Sequence, residues 1–149
     1  MQKIIGYSMI VAIAMTVEIV TSNTFAHSDT TGIVNERKER FKASQDAMKS
    51  MADAVTLEDF DRLVEYTESI EIWANEMVSY FPEGSNGKPS EALDVIWEKP
   101  AEFAAAAAQN EVAARRLIKL AKDGDAQSVR TAFIDLAASC KACHKKFRQ

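Results

Sequence analysis

Apolar residues recur at helical spacing along most of the chain after residue 32, in four segments separated by clusters of helix-breaking residues. The segments cover, in chain order, 33–55, about 57–80, 100 to about 122, and the residues that follow Asp125. Links within the first pair and within the last pair are short, and one longer connection joins the two pairs. This pattern predicts an all-α protein, an antiparallel four-helix bundle.

Short motifs predict where these helices begin and end. Thr56 stands before the second segment with Asp59 three residues on, which is a variant of the capping box. Gly124 suits the C-terminal cap of the third helix, and Asp125 suits the N-terminal cap of the fourth. Residues 81–99 are rich in Pro, Gly and Ser, and we interpret them as a long connection that covers part of the bundle.

The first 26 residues have the composition of a secretory signal peptide. One positive charge precedes an apolar run, residues 4–17, that is too short to span a bilayer comfortably. Glu18 ends this run, and Ala26 supplies a small residue for cleavage. We therefore predict a signal peptide over 1–26, cut after Ala26, and one domain over 27–149 that is exported to the periplasm without a membrane span. A buried N-terminal helix or an uncleaved anchor is the other interpretation.

Composition and charge exclude several classes of protein. The chain has 18 Lys and Arg against 22 Asp and Glu, a net charge of -4, and it lacks the basic stripe that grips a phosphate backbone. With 5 Gly and 3 Pro in 149 residues it is unlike a collagenous or disordered chain. We predict one globular domain that binds no nucleic acid.

Both cysteines and one of the two histidines lie within five residues near the C-terminal end, Cys140-Lys141-Ala142-Cys143-His144. This is the attachment pentapeptide of c-type haem. Positions i, i+3 and i+4 share one face of a helix, so both thiols reach the haem vinyl groups while the imidazole points at the iron. The motif predicts one covalently bound haem c with His144 as the metal ligand.

Three other interpretations of the pentapeptide are weaker. A redox Cys pair or a disulfide is permitted in an exported protein, but thioredoxin-like chemistry expects a βαβ unit, and the pattern here is helical. A zinc site needs a fourth protein ligand or an open water position, and the other histidine, His27, lies at the predicted mature N-terminus. A chance match would leave two thiols in an oxidising compartment.

Together, the signal peptide, the helical pattern and the position of the haem motif resemble the cytochrome c′ family, the class II c-type cytochromes. The matching strings are Arg37-Lys38, Phe81-Pro82-Glu83-Gly84-Ser85, Ile96-Trp97 and the segment 140–148. The resemblance covers essentially the whole mature chain. Class I cytochromes carry the same pentapeptide near the N-terminus, so its position is as informative as its letters.

The resemblance implies roles for residues around the haem. Family members with a sixth iron ligand have a Met four residues after an Arg equivalent to Arg37, and here that place holds Phe41. A phenyl ring has no lone pair to donate, so the iron is expected to be five-coordinate beneath Phe41. Arg37 would pair with a haem propionate or, in the other interpretation, with a nearby Glu. Arg148, four residues beyond His144, would lie against the proximal side of the haem.

Other side chains near the predicted haem have two interpretations. Trp97 and Phe81 would form the wall of the haem crevice or pack the connection onto the core. Met48, Met51 and Met77 are interpreted as adaptable core residues rather than iron ligands. The lysines of the last helix complement its dipole or steer an acidic redox partner.

These expectations describe a mono-haem, high-spin cytochrome that binds small gases and is not an enzyme. Nitric oxide and carbon monoxide stay nearly neutral on ferrous iron, so an apolar cap poor in hydrogen-bond donors favours them over dioxygen. The alternative is an electron carrier similar to cytochrome c-556. A peroxidase is disfavoured because no distal His and Arg pair stands near Phe41. The resemblance also implies a homodimer formed through the first two helices.

Overall fold

Four long helices form the bundle in the computed structural model, which describes residues 26–149 and the side chains from Thr30 onward. The helices are α1 Ala26–Leu57, α2 Phe60–Glu76, the one-turn α3 Val95–Glu98, α4 Pro100–Asp123 and α5 Ala126–Phe147. Helix α2 packs against α1 and α4, and α4 packs against α5, whereas α1 and α5 have few contacts with each other. Residues 26–149 contain no strand beyond an isolated bridge, which confirms the predicted all-α four-helix bundle.

The predicted signal peptide falls on residues 1–26, of which only Ala26 lies within the described part, as the first residue of α1. The cleavage site therefore stays a prediction. Within the described part of the chain, no helix is both long enough and apolar enough to cross a membrane.

The turn between α4 and α5 is built as predicted. Gly124 ends α4 with a left-handed backbone, φ 75°, which a residue without a side chain adopts readily. Asp125 then caps α5, because its carboxylate accepts a hydrogen bond from the backbone N–H of Ser128 at 3.1 Å.

The cap predicted between α1 and α2 is wrong by three residues. Thr56 is still inside α1, where its hydroxyl donates to the carbonyl of Ala52 at 2.8 Å. The N-cap of α2 is Asp59, whose carboxylate accepts from the backbone N–H of Arg62 at 3.2 Å. Asp59 stands directly before the first turn of α2 and reaches the free N–H groups there, whereas Thr56 is three residues further from them.

The connection between α2 and α4 has more structure than predicted. A 3-10 turn, Met77–Tyr80, extends α2, and α3 occupies Val95–Glu98. Residues 81–94 between them are called the strap here. The strap is tied to the end of α5, where the N–H of Leu93 donates to the carbonyl of Phe147 at 3.0 Å. The long connection therefore covers one end of the bundle.

The core has two parts of different composition. The first is aliphatic and includes Met51, which is fully buried and is a core residue as predicted. The second is aromatic and lies beside the pentapeptide; its buried members are Trp73, Met77, Ile96, Phe103, Ala107 and Phe147. The second part borders a cavity.

Candidate functional site

The cavity beside the pentapeptide has a volume of about 520 Å³, within the range of ligand-binding sites. Helix α5 presents Cys140, Cys143 and His144 to it, as their helical spacing predicts. Most of the wall is apolar, and its large members are Phe41, Met48, Ile70, Trp73, Met77, Phe81, Ile96, Phe103 and Phe147. A pocket with apolar walls and a few polar groups suits a porphyrin, which is a flat apolar ring with two carboxylates.

The thiols of the pentapeptide are partly desolvated. Burial raises the pKa of Cys143 to about 11, and the neighbouring Cys140 adds to this shift. Burial also raises the pKa of Cys140, against which Asn110 acts by donating a hydrogen bond to its sulfur at 3.1 Å. Both cysteines are free in the structure and line the same cavity. They are therefore neutral thiols held in place on one helix face.

His144 is exposed, because the cavity that it lines opens to solvent. Even so, part of its ring is desolvated, which lowers the pKa of His144, and the positive charge of Arg148 lowers it further. A histidine whose ordinary pKa near 6.5 is lowered is neutral at pH 7, and neutral imidazole is the form that ligates iron. Among the described side chains, no cluster of three or more His, Cys, Asp or Glu is arranged to hold a metal ion.

Phe41 faces the pentapeptide from α1. Its ring centroid lies 6.1 Å from that of His144 and 5.2 Å from that of Trp73, both in edge contacts. The ring also contacts Phe81 at 6.4 Å. The structure thus brings together Phe41 and His144, the two residues that the sequence placed on either side of an iron.

Arg37 is buried, with 3% of its surface exposed, and it holds the strap. One terminal nitrogen donates to the carbonyl of Tyr80 at 3.2 Å and to the hydroxyl of Ser85 at 2.8 Å. The other donates to the carbonyl of Ser85 and the hydroxyl of Ser90, both at 2.5 Å. The guanidinium lies 4.3 Å from the ring centre of Phe81.

This network corrects one interpretation of Arg37 and limits the other. No salt bridge joins Arg37 to a carboxylate of the described residues, so the predicted pairing with a Glu is wrong. Desolvation lowers the pKa of Arg37, but a guanidinium stays charged in proteins. Its four terminal N–H groups are used on Tyr80 and the strap, so the Nε–H would be the donor for a propionate.

Arg148 lies outside the helical face on which it was predicted. Helix α5 ends at Phe147, and Arg148 follows with an extended backbone, φ -127° and ψ 143°. It pairs with Glu91 of the strap at 2.5 Å, and its backbone bridges to Ala92. The expected position on the helical face is wrong, because the helix ends one residue earlier, whereas the expected place of Arg148 beside the proximal side of the haem stays a prediction. The side chain of Arg148 still borders the cavity.

Trp97 packs the connection onto the core and is not among the residues that line the cavity, so the structure favours the second of its two interpretations. Its indole Nε1 donates to the carbonyls of Phe81 and Pro82, at 3.0 Å each, and this holds the strap against α3. Phe81, in contrast, does line the cavity. Sequence reasoning could not separate the two aromatic residues because both lie in the same breaker-rich connection.

Several cavity residues were not predicted from the sequence. Met48 and Met77 line the cavity, and both also pack in the core as predicted. Trp73 and Asn110 were not singled out, and both are buried at the cavity wall. The sequence signal that could have identified Trp73 is its spacing between Ile70 and Met77 on the apolar face of α2.

A family model described as Cytochrome C' matches residues 32–148. The chain belongs to the cytochrome c′ family. The cytochrome c′ of Pararhodospirillum photometricum is 34% identical over 119 residues, which cover 78% of this chain and 95% of that protein. The family therefore extends over the whole described bundle.

Solved structures of cytochrome c′ proteins share this fold. A carbon monoxide-bound variant of the protein from Alcaligenes xylosoxidans superposes with a TM-score of 0.74 at 24% identity, covering 82% of this chain and 98% of that chain. A cytochrome c′ described as having an unusual ligand-controlled dimer dissociation superposes with a TM-score of 0.73 at 22% identity, covering 80% and 95%. At these identities the likeness shows the bundle fold.

Cytochrome c′ proteins bind one covalently attached haem c, and this chain is accordingly a mono-haem c-type cytochrome. The residues on the cavity wall fit that group: two thiols and a neutral imidazole on one face of α5, enclosed by aromatic and aliphatic side chains.

Proposed function

We propose that this cytochrome binds carbon monoxide and nitric oxide at a ferrous iron with one vacant axial position, in the periplasm and without enzymatic activity. Cys140 and Cys143 would carry the thioether bonds, and His144 would be the fifth ligand. The haem supplies the iron to which the gas binds. The observation that carries the proposal is the ring of Phe41, 6.1 Å from His144, where a ligating residue would have to stand.

Each cavity residue then has a physical role. The lowered pKa of His144 keeps its nitrogen lone pair free at neutral pH. Phe41, wedged between Trp73 and Phe81, keeps water from the open side and must move when a gas enters. Arg37 and the strap fix Phe81 and so hold one wall of this pocket. A small neutral ligand that needs no proton suits such a site.

Carbon monoxide added to the reduced protein tests the proposal. The expected result is a shift of the Soret band, and an unchanged spectrum contradicts it. The solved Alcaligenes xylosoxidans relative, a variant with carbon monoxide bound, supports the choice of ligand.

Replacing Phe41 by Ala is expected to speed carbon monoxide uptake, because no ring then has to move. Stopped-flow mixing measures the rate. The matched control is Phe60→Ala, which removes a ring that packs against the aliphatic part of the core. Equal rates in the Phe41→Ala variant and the wild type would show that this ring is not the gate.

Electron transfer is the second candidate function, and the positions of Met48 and Met77 favour it. Both thioethers line the cavity in which the haem would be held, so either would be available as a sixth ligand. A Met-ligated ferric iron shows a weak charge-transfer band in the far red. Its presence in the wild type and loss in Met77→Leu or Met48→Leu would establish a carrier, which would require a periplasmic redox partner.

We also propose that the protein is a homodimer through α1 and α2. Helices α1 and α2 expose apolar side chains at Leu57 and Ile72, which are 72% and 56% exposed, and the 3-10 turn after α2 exposes Val78, at 44%. Sedimentation equilibrium of the wild type and of Ile72→Glu tests this. A monomeric wild type would contradict the proposal.

A further inference from the structure

We infer that the indole N–H of Trp73 is a hydrogen-bond donor for the gas bound at the vacant position. Among the side-chain nitrogen and oxygen atoms of the described residues, Trp73 Nε1 is the one that is fully buried without a hydrogen-bond partner. Trp73 is 4% exposed and lines the cavity. This inference rests on the proposed function, because it needs a ligand in the pocket.

An unpaired buried N–H is unfavourable, because the group has lost water and gained nothing in return. Most buried donors in native proteins are paired, so an exception points to an acceptor that the chain itself does not supply. The other tryptophan of the chain shows the contrast: Trp97 Nε1 donates to two carbonyls at 3.0 Å. The rings beside Trp73 are Phe41 and Tyr80, each 5.2 Å away between centroids.

The other polar groups deep in the cavity wall are already engaged. Ser44 donates to the carbonyl of Arg40 at 3.0 Å, and Asn110 donates to Ser139 and Cys140. The terminal nitrogens of Arg37 are bound to Tyr80 and the strap, and its Nε–H would be the donor for a propionate. Trp73 therefore holds the uncommitted donor next to Phe41, the ring that a bound gas has to displace.

One donor in an otherwise apolar cap weakens the expected preference for carbon monoxide and nitric oxide over dioxygen. The sequence predicted a cap poor in donors around Phe41, and the structure places the ring of Trp73, which carries an unpaired N–H, in edge contact with Phe41. Such a donor stabilises a ligand whose outer atom gains negative charge. It would draw electron density onto the oxygen of carbon monoxide and weaken the C–O bond.

Infrared spectra of the ferrous carbon monoxide complex test the inference. In Trp73→Phe the ring is kept and the N–H is lost, so we expect the C–O stretch to move to a higher wavenumber than in the wild type. Trp97→Phe is the matched control and should leave the band in place. An unchanged band in Trp73→Phe would overturn the inference and indicate that the N–H faces the π system of a neighbouring ring.

A measurement on the wild type alone covers the case in which Trp73→Phe does not fold. Exchange from H₂O to D₂O should shift the C–O stretch when an N–H donates to the ligand, and the absence of a shift would overturn the inference. A wild type without any carbon monoxide band contradicts the proposed function and this inference together. A C–O band that is shifted neither by Trp73→Phe nor by exchange into D₂O contradicts the inference but leaves the proposed function intact.

Discussion

Replacing Arg37 by Met is expected to release the strap from α1 and to destabilise the protein. Four hydrogen bonds from one guanidinium reach Tyr80, Ser85 and Ser90. Ser85 is 1% exposed, so its hydroxyl and carbonyl would lose their donor where water cannot replace it. Each unmade buried bond costs about 1–3 kcal/mol.

The desolvation of the guanidinium is relieved in the variant, which offsets part of this loss. We therefore expect a net decrease of about 2–4 kcal/mol in the free energy of unfolding, or roughly 10 °C in Tm for a domain of this size. Urea unfolding of the purified haem protein, followed by far-ultraviolet circular dichroism, measures it.

The matched control is Arg40→Met, one turn further along α1. The side chain of Arg40 is 35% exposed and pairs with Glu36 and Glu76 at the surface, an arrangement worth about 0–1 kcal/mol. Equal destabilisation by the two substitutions would refute the reasoning. It would mean that the buried hydrogen bonds of Arg37 stabilise the protein no more than the surface ion pairs of Arg40.

Two further predictions concern the helix caps. Asp59→Ala should lower the free energy of unfolding by about 1 kcal/mol, whereas Thr56→Ala should lower it less. A larger effect of Thr56→Ala in urea unfolding would indicate that Thr56 is the N-cap, as predicted from the sequence. The pKa of Asp125 is lowered because Ser128 donates hydrogen bonds to its carboxylate. Its contribution is therefore complete above its ordinary pKa and is lost as pH falls through the lower folded value. The stability difference between wild type and Asp125→Asn should stay constant above about pH 5 and fall as the pH drops below the ordinary pKa of 3.8, and a difference that stays constant in this acid range would contradict the prediction.

The features that the sequence predicted well depend on local patterns. Helical periodicity locates the bundle, and the i, i+3, i+4 spacing of the pentapeptide places three side chains on one face of α5. The turn at Gly124 needs only the backbone freedom of one residue.

The features that were missed depend on partners far away in sequence. The donors of Arg37 reach acceptors 43 to 53 residues away, and Arg148 leaves its helix to meet Glu91, 57 residues earlier. Whether Trp97 or Phe81 lines the cavity is decided by how the strap folds back. Periodicity along one helix carries no information on such contacts.

The electron paramagnetic resonance spectrum of the ferric protein tests the central claim most directly. With His144 below the iron and the ring of Phe41 opposite, the account predicts a high-spin signal from five-coordinate iron. A purely low-spin signal, which requires a strong sixth ligand such as Met48 or Met77, would contradict it.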